Sequence, residues 1–236
     1  MPAALVTGSA KGIGQAVLLS LAEKGYDVAV HYRSSRAEAE SVAEEARRLG
    51  VRAVVLQADV SQESQATALV HEAHQALGGL DVLVNNVGNY HKEALETLQS
   101  TDWHAMFDSN LHSTFYTCQC AAALMRQAGA GRIINLGFAG AEVIVARPAI
   151  VAYHIAKTGV ILYSKSLAKS EAKYGITVNV ISPGVMDNSD SKPHSELPMQ
   201  RTGKLSELCA ALHYLLSPEA AYVTGVTLEI AGGWNL

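Results

Sequence analysis

The stretch AALVTGSAKGIG, residues 3–14, indicates the fold at the start of the chain. Its first four residues are apolar, as in a buried strand, and a helical pattern begins at the second glycine. Glycines at such a junction let the main chain approach a pyrophosphate, and the free N–H groups of the helix bind that anion. We therefore expect a nucleotide site here. The expected contact residues are Gly8, Ser9, Lys11, Gly12, Ile13 and Gly14.

Strand-like and helix-like segments alternate along the rest of the chain. The predicted strands are 3–7, 27–32, 51–57, 80–85, 131–136, 176–182 and 226–230, and the predicted helices are 12–24, 36–49, 61–77, 101–127, 152–174 and 204–216. The strands are nearly continuous apolar runs, which is typical of strands buried on both faces of a parallel sheet. The pattern predicts an α/β fold: a single Rossmann-type domain, residues 1–236, with a doubly wound sheet of about seven parallel strands flanked by helices.

Composition narrows the class of protein. The 236 residues are 49% hydrophobic and 17% charged, with a formal net charge of −4, which fits a domain with a sizeable core and disfavours nucleic acid as a partner. No apolar run reaches the ~20 residues of a membrane span, and the N-terminus lacks a basic leader. Three cysteines do not make a disulfide framework, so a reducing cytoplasm is expected. The histidines show no metal-ligand spacing, and no metal is expected.

The end of the second predicted strand indicates which nucleotide binds. Sites for NAD usually carry an acidic residue there, but this chain has Tyr32, Arg33 and Ser34. The Arg33 guanidinium and the Ser34 hydroxyl suit a 2′-phosphate, and Lys11 in the glycine turn is expected to reach the same group. These residues predict NADP(H) as the cofactor.

Tyr153 and Lys157 are the candidate catalytic pair. They are four residues apart on a predicted helix and therefore share a face. A lysine ammonium favours the phenolate form and is expected to lower the pKa of the tyrosine. The pair then supplies a proton to a carbonyl oxygen while the carbonyl carbon receives hydride.

Taken together, the motifs resemble the short-chain dehydrogenase/reductase family, and in particular its 3-oxoacyl-acyl-carrier-protein reductase-like branch. The resemblance covers nearly the whole chain. It rests on the glycine turn and the catalytic pair and, beyond these, on Asp59-Val60, Asn85-Asn86-Val87-Gly88, Asn110, Pro183-Gly184, Thr224-Gly225 and Gly232-Gly233.

The resemblance implies roles for these residues. Asp59 and Val60 would contact the adenine, and Asn86, Val87, Gly88, Pro183, Gly184 and Val185 would contact the nicotinamide half of the cofactor. Tyr153 would donate the proton, Lys157 would hold the nicotinamide ribose, and Asn110 would link Lys157 to solvent through a water. The family also implies a small-molecule substrate and a homodimer or homotetramer, for which residues 118–125, Ile161 and Leu162 would suit the interface.

The chain departs from the family pattern at one catalytic position. The family has a serine at the end of the fifth strand, where this chain has Phe138; counting back from the tyrosine gives Gly140, so the connection is about two residues longer than usual. Three interpretations remain open. Another donor replaces the serine, with His154, Asn89, Tyr90, His91 or a water as candidates; or the reaction needs no such donor, as in enoyl-thioester or pteridine reductases; or the protein binds the nucleotide without catalysis.

Three further features concern the substrate. Tyr90 and His91 follow the Asn-Asn-Val-Gly motif and, with Phe138, are expected to line the pocket. Residues 186–202 are expected to form a polar, proline-containing loop after a strand end. A loop in this position would cover a bound substrate. Trp103 and Trp234 are expected to serve packing rather than ligand binding.

Overall fold

The computed structural model describes residues 1–190 and 192–234. Seven parallel strands form one sheet in the order β3-β2-β1-β4-β5-β6-β7. They are β1 (Ala3–Val6), β2 (Asp27–Tyr32), β3 (Ala53–Gln57), β4 (Val82–Asn85), β5 (Gly131–Leu136), β6 (Ile176–Pro183) and β7 (Thr227–Ile230). The order reverses direction between β1 and β4, which creates the crevice where nucleotides bind in such sheets. The predicted doubly wound fold is confirmed.

Helices cover both faces of the sheet. They are α1 (Gly12–Glu23), α2 (Arg36–Arg48), α3 (Glu63–Leu77), α4 (Ser100–Phe107), α5 (Ser113–Ala128), α6 (Val151–Glu171) and α7 (Leu205–Leu216). Residues of α1, α2 and α7 pack on one face of the strands, and residues of α3 and α5 pack on the other. None of the described helices has the length and apolar character that a membrane crossing requires. The carboxyl ends of the strands all point to one edge, where the predicted site residues collect.

The predicted helix 101–127 is interrupted. Residues Asp108–His112 form a π turn between α4 and α5, and Asn110 lies at its centre. The Ser109 hydroxyl donates to the Ala105 carbonyl oxygen at 2.7 Å, and Asn110 Nδ2 donates to the Met106 carbonyl oxygen at 3.0 Å. Side chains thus bind main-chain carbonyls of the preceding turn, and π turns of this kind often mark functional positions.

The segment expected to form a subunit interface lies only partly in the core. Cys118, Ala121, Ala122 and Met125 are fully buried where α5 packs on α3 and the sheet, and Ile161 is also buried. Ala123 is exposed and Leu162 is 61% exposed, so these residues keep the surface position that an interface needs. A homodimer or homotetramer stays a prediction.

Candidate active site

The glycine turn after β1 has the shape that a pyrophosphate needs. Gly8 and Gly12 have φ values of +63° and +60°, which favour glycine. A Cβ on Gly14 would collide with the Gly8 carbonyl oxygen and with Asn86 Nδ2. Asn86 Nδ2 donates to the carbonyl oxygens of Thr7 and Gly8, at 3.0 and 3.1 Å, so this predicted cofactor residue braces the turn. No acidic residue lies in the first turn of α1, whose N–H groups are available to an anion.

A cavity of about 300 Å³ extends from this turn to the ends of β2 and β3, and we call it the nucleotide cavity. Its described lining includes ten of the predicted cofactor residues: Gly8, Lys11, Tyr32, Arg33, Ser34, Asp59, Val60, Asn86, Val87 and Gly88. Arg33 is exposed, and its carbonyl oxygen accepts a hydrogen bond from Gln57 Nε2 at 3.0 Å, which fixes the main chain beneath the guanidinium.

Two predicted cofactor residues also make contacts within the protein, and both stay predictions. The Ser9 hydroxyl accepts a hydrogen bond from His31 N at 3.0 Å, and Ser9 N donates to the His31 carbonyl oxygen. Lys11 Nζ lies 2.6 Å from Glu38 Oε1, because α2 brings this carboxylate to the rim of the cavity. Lys11 and Arg33 both line the nucleotide cavity; Lys11 is ion-paired with Glu38, and Arg33 is exposed.

His31 is a residue that sequence reasoning missed. It is buried beneath the glycine turn, where Nδ1 accepts a hydrogen bond from Gly8 N at 2.8 Å and Nε2 lies 3.1 Å from the Ala58 carbonyl oxygen. The two contacts fix a neutral ring with the proton on Nε2. Burial lowers the pKa of His31 to about 4. The only sequence signal was a polar residue within the buried strand β2.

This geometry predicts a pH-dependent contribution of His31 to stability. The pKa is below its unfolded value, so the contribution is complete above pH ~6.5 and is lost as the pH falls towards about 4. We expect the free energy of unfolding of the wild type to decline more steeply over this range than that of His31→Asn, whose amide retains an acceptor and does not titrate. Urea unfolding at several pH values measures this. Parallel pH profiles of the two proteins would contradict it.

The catalytic pair lies on α6, beside Asn110 and Gly88. Lys157 is fully buried and its Nζ donates to the Leu136 carbonyl oxygen at 2.8 Å. Nζ lies 5.9 Å from the centre of the Tyr153 ring. A Cβ on Gly88 would collide with Asn110 Oδ1 and would lie 3.2 Å from Lys157 Nζ, which shows that the amide and the ammonium approach the same point. Asn110 Oδ1 is buried without a hydrogen-bond partner in the structure, so it is free to accept from a bound water.

The pKa shifts of the pair differ from the prediction. Burial raises the pKa of Tyr153, and the nearby Tyr90 phenol raises it further. The expected lowering by Lys157 is wrong for this structure, because desolvation of the phenol outweighs a charge at this distance. Burial also lowers the pKa of Lys157 to about 8. At neutral pH, Tyr153 is therefore a protonated phenol beside a lysine that is still charged, which suits a proton donor.

A buried polar network fixes the elements that carry this pair. Thr117 Oγ1 donates to Asn85 Oδ1 at 2.7 Å, and Asn85 Nδ2 donates to Asn135 Oδ1 at 2.9 Å. Asn135 Nδ2 then donates to Ser164 Oγ at 2.8 Å. The network joins α5, β4, β5 and α6, and so sets Asn110 and Lys157 relative to the sheet. The sequence showed only two asparagines in apolar strands, without their partners.

A second cavity, of about 500 Å³, opens in front of Tyr153, and we call it the substrate cavity. Its described lining is Ile13, Tyr90, Phe138, Tyr153, Pro183, Gly184, Val185, Asn188, Ser189, Asp190, Pro193 and Trp234. The predicted nicotinamide contacts Pro183, Gly184 and Val185, together with Ile13 of the glycine turn, line the same space as the predicted substrate residues. Four lining residues come from the predicted loop 186–202, in which Ser191 lies outside the described residues.

The substrate predictions have mixed outcomes. Phe138 and Tyr90 line the cavity, and their rings contact Tyr153 at centroid distances of 5.4 and 5.0 Å. His91 is absent from the described lining; its Nε2 lies 3.9 Å from Glu93 Oε2. Trp234 was expected to pack, but it lines the cavity 6.3 Å from the Phe138 ring. The final turn of the described chain brings it there, which local sequence does not reveal.

The described residues fit a dinucleotide cofactor whose nicotinamide end takes part in the reaction. The glycine turn has the shape for a pyrophosphate, and Arg33 lines the nucleotide cavity at the end of β2. Tyr153 lines the substrate cavity, and Lys157 Nζ approaches Gly88 of the nucleotide cavity. Within residues 1–190 and 192–234, no group of three or more His, Cys, Asp or Glu side chains is placed to hold a metal ion. The arrangement can bind a nicotinamide cofactor and protonate an oxygen beside it.

Comparisons with known proteins agree with this geometry. Residues 8–235 match the family described as Enoyl-(Acyl carrier protein) reductase. The chain is 37% identical over 240 residues to a 3-oxoacyl-[acyl-carrier-protein] reductase FabG of Staphylococcus aureus, covering 98% of this chain and 96% of the relative. It is 35% identical over 245 residues to glucose 1-dehydrogenase 2 of Bacillus subtilis, covering 99% and 94%.

Solved structures give the same result. The crystal structure of acetoin dehydrogenase YohF from Salmonella typhimurium superposes with a TM-score of 0.91 at 34% identity, covering 99% of this chain and 97% of that chain. Family match, sequence relatives and structure extend over nearly the whole length, and all of these relatives are oxidoreductases. The chain therefore belongs to the short-chain dehydrogenase/reductase family and is an oxidoreductase that acts on CH–OH or C=O groups with a nicotinamide cofactor.

Proposed function

We propose that the protein reduces a carbonyl compound with NADPH and that Tyr153 donates the proton. The observation that carries this proposal is the protonated Tyr153 phenol at the wall of the substrate cavity, with Lys157 and Asn110 behind it. The bound cofactor supplies a hydride to the carbonyl carbon. The Tyr153 proton goes to the carbonyl oxygen, and the product is the corresponding alcohol.

Lys157 and Asn110 support the transfer of that proton. The ammonium stabilises the phenolate that forms as the proton leaves, since a positive charge near the ring favours the anion. Asn110 Oδ1 accepts from a water that returns a proton towards Lys157. NADPH rather than NADH is supported by Arg33 at the end of β2 and by the absence of an acidic residue there.

We infer that Tyr90 replaces the missing serine as the second donor to the carbonyl oxygen. Of the four residues considered from the sequence, Tyr90 alone belongs to the described lining of the substrate cavity. Its ring lies 5.0 Å from that of Tyr153 and is 60% exposed, so its hydroxyl has room to meet a substrate. His154 is buried against Phe138, and Asn89 faces the nucleotide cavity.

Tyr90→Phe tests this assignment. Removal of one hydrogen-bond donor to a developing oxyanion costs about 10²-fold or more in kcat, and the variant keeps the ring and its contacts. We expect kcat for carbonyl reduction to fall by about that factor with little change in KM. Steady-state kinetics at saturating NADPH measures both constants. A kcat within twofold of wild type would exclude Tyr90 as the donor.

The pH dependence of the reaction tests the role of Lys157. Its pKa of about 8 means that the ammonium is charged below that pH and neutral above it. We expect kcat for reduction to decline as the pH rises through about 8, because the charge that stabilises the Tyr153 phenolate is lost. Lys157→Arg, which stays charged, should have a lower rate but no decline in this range. Initial rates from pH 6 to 9.5 show the profiles; a wild-type rate that is constant over this range would contradict the assignment.

Several substrates are compatible with this function. A 3-oxoacyl thioester is the substrate named for the Staphylococcus relative, whereas acetoin and glucose are named for the others. Enoyl-thioester reduction is a second candidate, favoured by the description of the matching family. Product analysis distinguishes the two, since one yields an alcohol and the other a saturated thioester.

A further inference from the structure

Aromatic rings form much of the described wall of the substrate cavity. Tyr90, Phe138, Tyr153 and Trp234 are four of its twelve described lining residues. Their rings meet edge to face: Tyr90 with Tyr153 at 84°, Phe138 with Tyr153 at 69° and Phe138 with Trp234 at 86°. Rings in this arrangement present both faces and edges to the enclosed space, which suits a flat aromatic partner.

Phe138 has close neighbours on several sides in this wall. The Arg147 guanidinium carbon lies 5.6 Å from the centre of its ring, and the His154 ring lies at 6.4 Å. With Tyr153 and Trp234, four side chains therefore contact Phe138, whose ring cannot withdraw to admit a different shape without breaking these contacts. Phe138, which stands where the family has its serine, thus also presents a flat ring beside the proton donor Tyr153.

The charged side chains of the lining indicate which class of substrate the cavity disfavours. Asp190 is the only charged side chain in its described lining, which contains no lysine, arginine or histidine. An anionic substrate would meet that carboxylate, whereas Arg147 and Lys157 lie outside the described lining. The polar side-chain groups that remain are the two phenols, the Trp234 indole N–H, Asn188 and Ser189, which suit hydrogen bonds to an uncharged molecule.

We propose that the substrate is a flat, uncharged, conjugated ring compound that carries its carbonyl on or beside the ring, such as a bicyclic aryl ketone. The ring lies against Tyr90, Phe138 and Trp234, and the carbonyl oxygen faces the Tyr153 hydroxyl. The cavity of about 500 Å³ would hold the nicotinamide against Pro183, Gly184 and Val185 and the substrate ring against the aromatic side chains. This inference rests on the proposed carbonyl reduction and specifies its substrate class.

A binding experiment tests the inference without requiring turnover. The probes are 2-naphthol and decahydro-2-naphthol, which share size and hydroxyl position but differ in flatness and π-electrons. Both are titrated by calorimetry into the wild-type enzyme saturated with NADP⁺. We expect 2-naphthol to bind about tenfold more tightly, as two or three edge-to-face contacts would provide. Equal affinities within twofold would overturn the inference.

Variants locate the preference in the cavity wall. Phe138→Leu keeps an apolar side chain and loses the ring, so we expect it to reduce the ratio of the two affinities to below threefold. The control is Tyr222→Leu, which removes a fully exposed ring outside the described cavity lining and should leave the ratio unchanged. A ratio unaltered by Phe138→Leu would overturn the inference, even if the wild type prefers 2-naphthol.

Kinetics with matched ketones separates this inference from the proposed function. The comparison is 1-tetralone against 1-decalone, with acetoacetyl-coenzyme A as a third substrate. We expect KM for 1-tetralone to be about tenfold below that for 1-decalone, and Phe138→Leu to remove the difference. Turnover with a preference for the saturated ketone or the thioester would overturn the inference while supporting carbonyl reduction. Absence of turnover with every carbonyl, alongside the expected naphthol binding, would contradict the proposed function only.

Discussion

Tyr153→Phe should lose carbonyl reduction almost completely while NADPH binding persists. The variant removes a single hydroxyl from a ring that contacts Phe138 and Tyr90, so the walls of the cavity keep their shape. Loss of a general acid lowers kcat by about 10²–10⁴-fold, and we expect a value near 10³ here.

Two readouts decide the meaning of this result. Single-turnover kinetics with NADPH and the best carbonyl of a panel gives the rate of the chemical step, and NADPH fluorescence gives the dissociation constant. We expect the rate of the chemical step to fall by about 10³-fold and the dissociation constant for NADPH to change by less than about twofold. A variant that reduces carbonyls at the wild-type rate would reject Tyr153 as the donor. A loss of NADPH binding in parallel would show that the hydroxyl serves the cofactor site instead.

Arg33→Ala should weaken NADPH binding by about 10- to 100-fold and change NADH binding by less than about twofold. A hydrogen bond between a guanidinium and a phosphate contributes roughly 1.5–3 kcal/mol, and only NADPH carries the 2′-phosphate. Lys11 lines the same cavity, but its ammonium lies 2.6 Å from Glu38 Oε1, so we expect it to compensate only in part. Titration of both cofactors into wild type and variant measures the difference.

Glu38→Gln is the matched experiment for this cofactor preference. It releases Lys11 from its ion pair and removes a carboxylate from the rim of the nucleotide cavity. We expect NADPH to bind more tightly to this variant than to wild type.

An equal loss of NADPH and NADH affinity in Arg33→Ala would show that Arg33 supports the fold of the cavity rather than recognising the phosphate.

The parts of the structure that follow from contiguous sequence were predicted well. The order of strands and helices, the glycine turn and the position of Arg33 all depend on local patterns whose geometry is set within one strand–helix unit. Tyr153 and Lys157 were found for the same reason, because four residues on a helix fix their relative position.

The parts that depend on contacts between distant segments were not predicted. Glu38 reaches Lys11 only because α2 returns beside the glycine turn, and Trp234 reaches Phe138 only because the last described turn folds over the cavity. The pKa of Tyr153 depends on how completely Tyr90 and its other neighbours exclude water, which no spacing in the sequence expresses. The π turn at Asn110 likewise results from side chains binding main-chain carbonyls.

The most direct test of the account follows NADPH absorbance at pH 6 to 7 with a panel of a 3-oxoacyl thioester, an enoyl thioester, a diketone, a quinone, a dihydropterin and 1-tetralone. NADPH binding is checked separately by fluorescence, and the products are identified by mass spectrometry. The account predicts consumption of NADPH with formation of one equivalent of alcohol from at least one ketone. Tight NADPH binding without reduction of any carbonyl in the panel would contradict it and would indicate a nucleotide-binding protein that no longer catalyses the family's reaction.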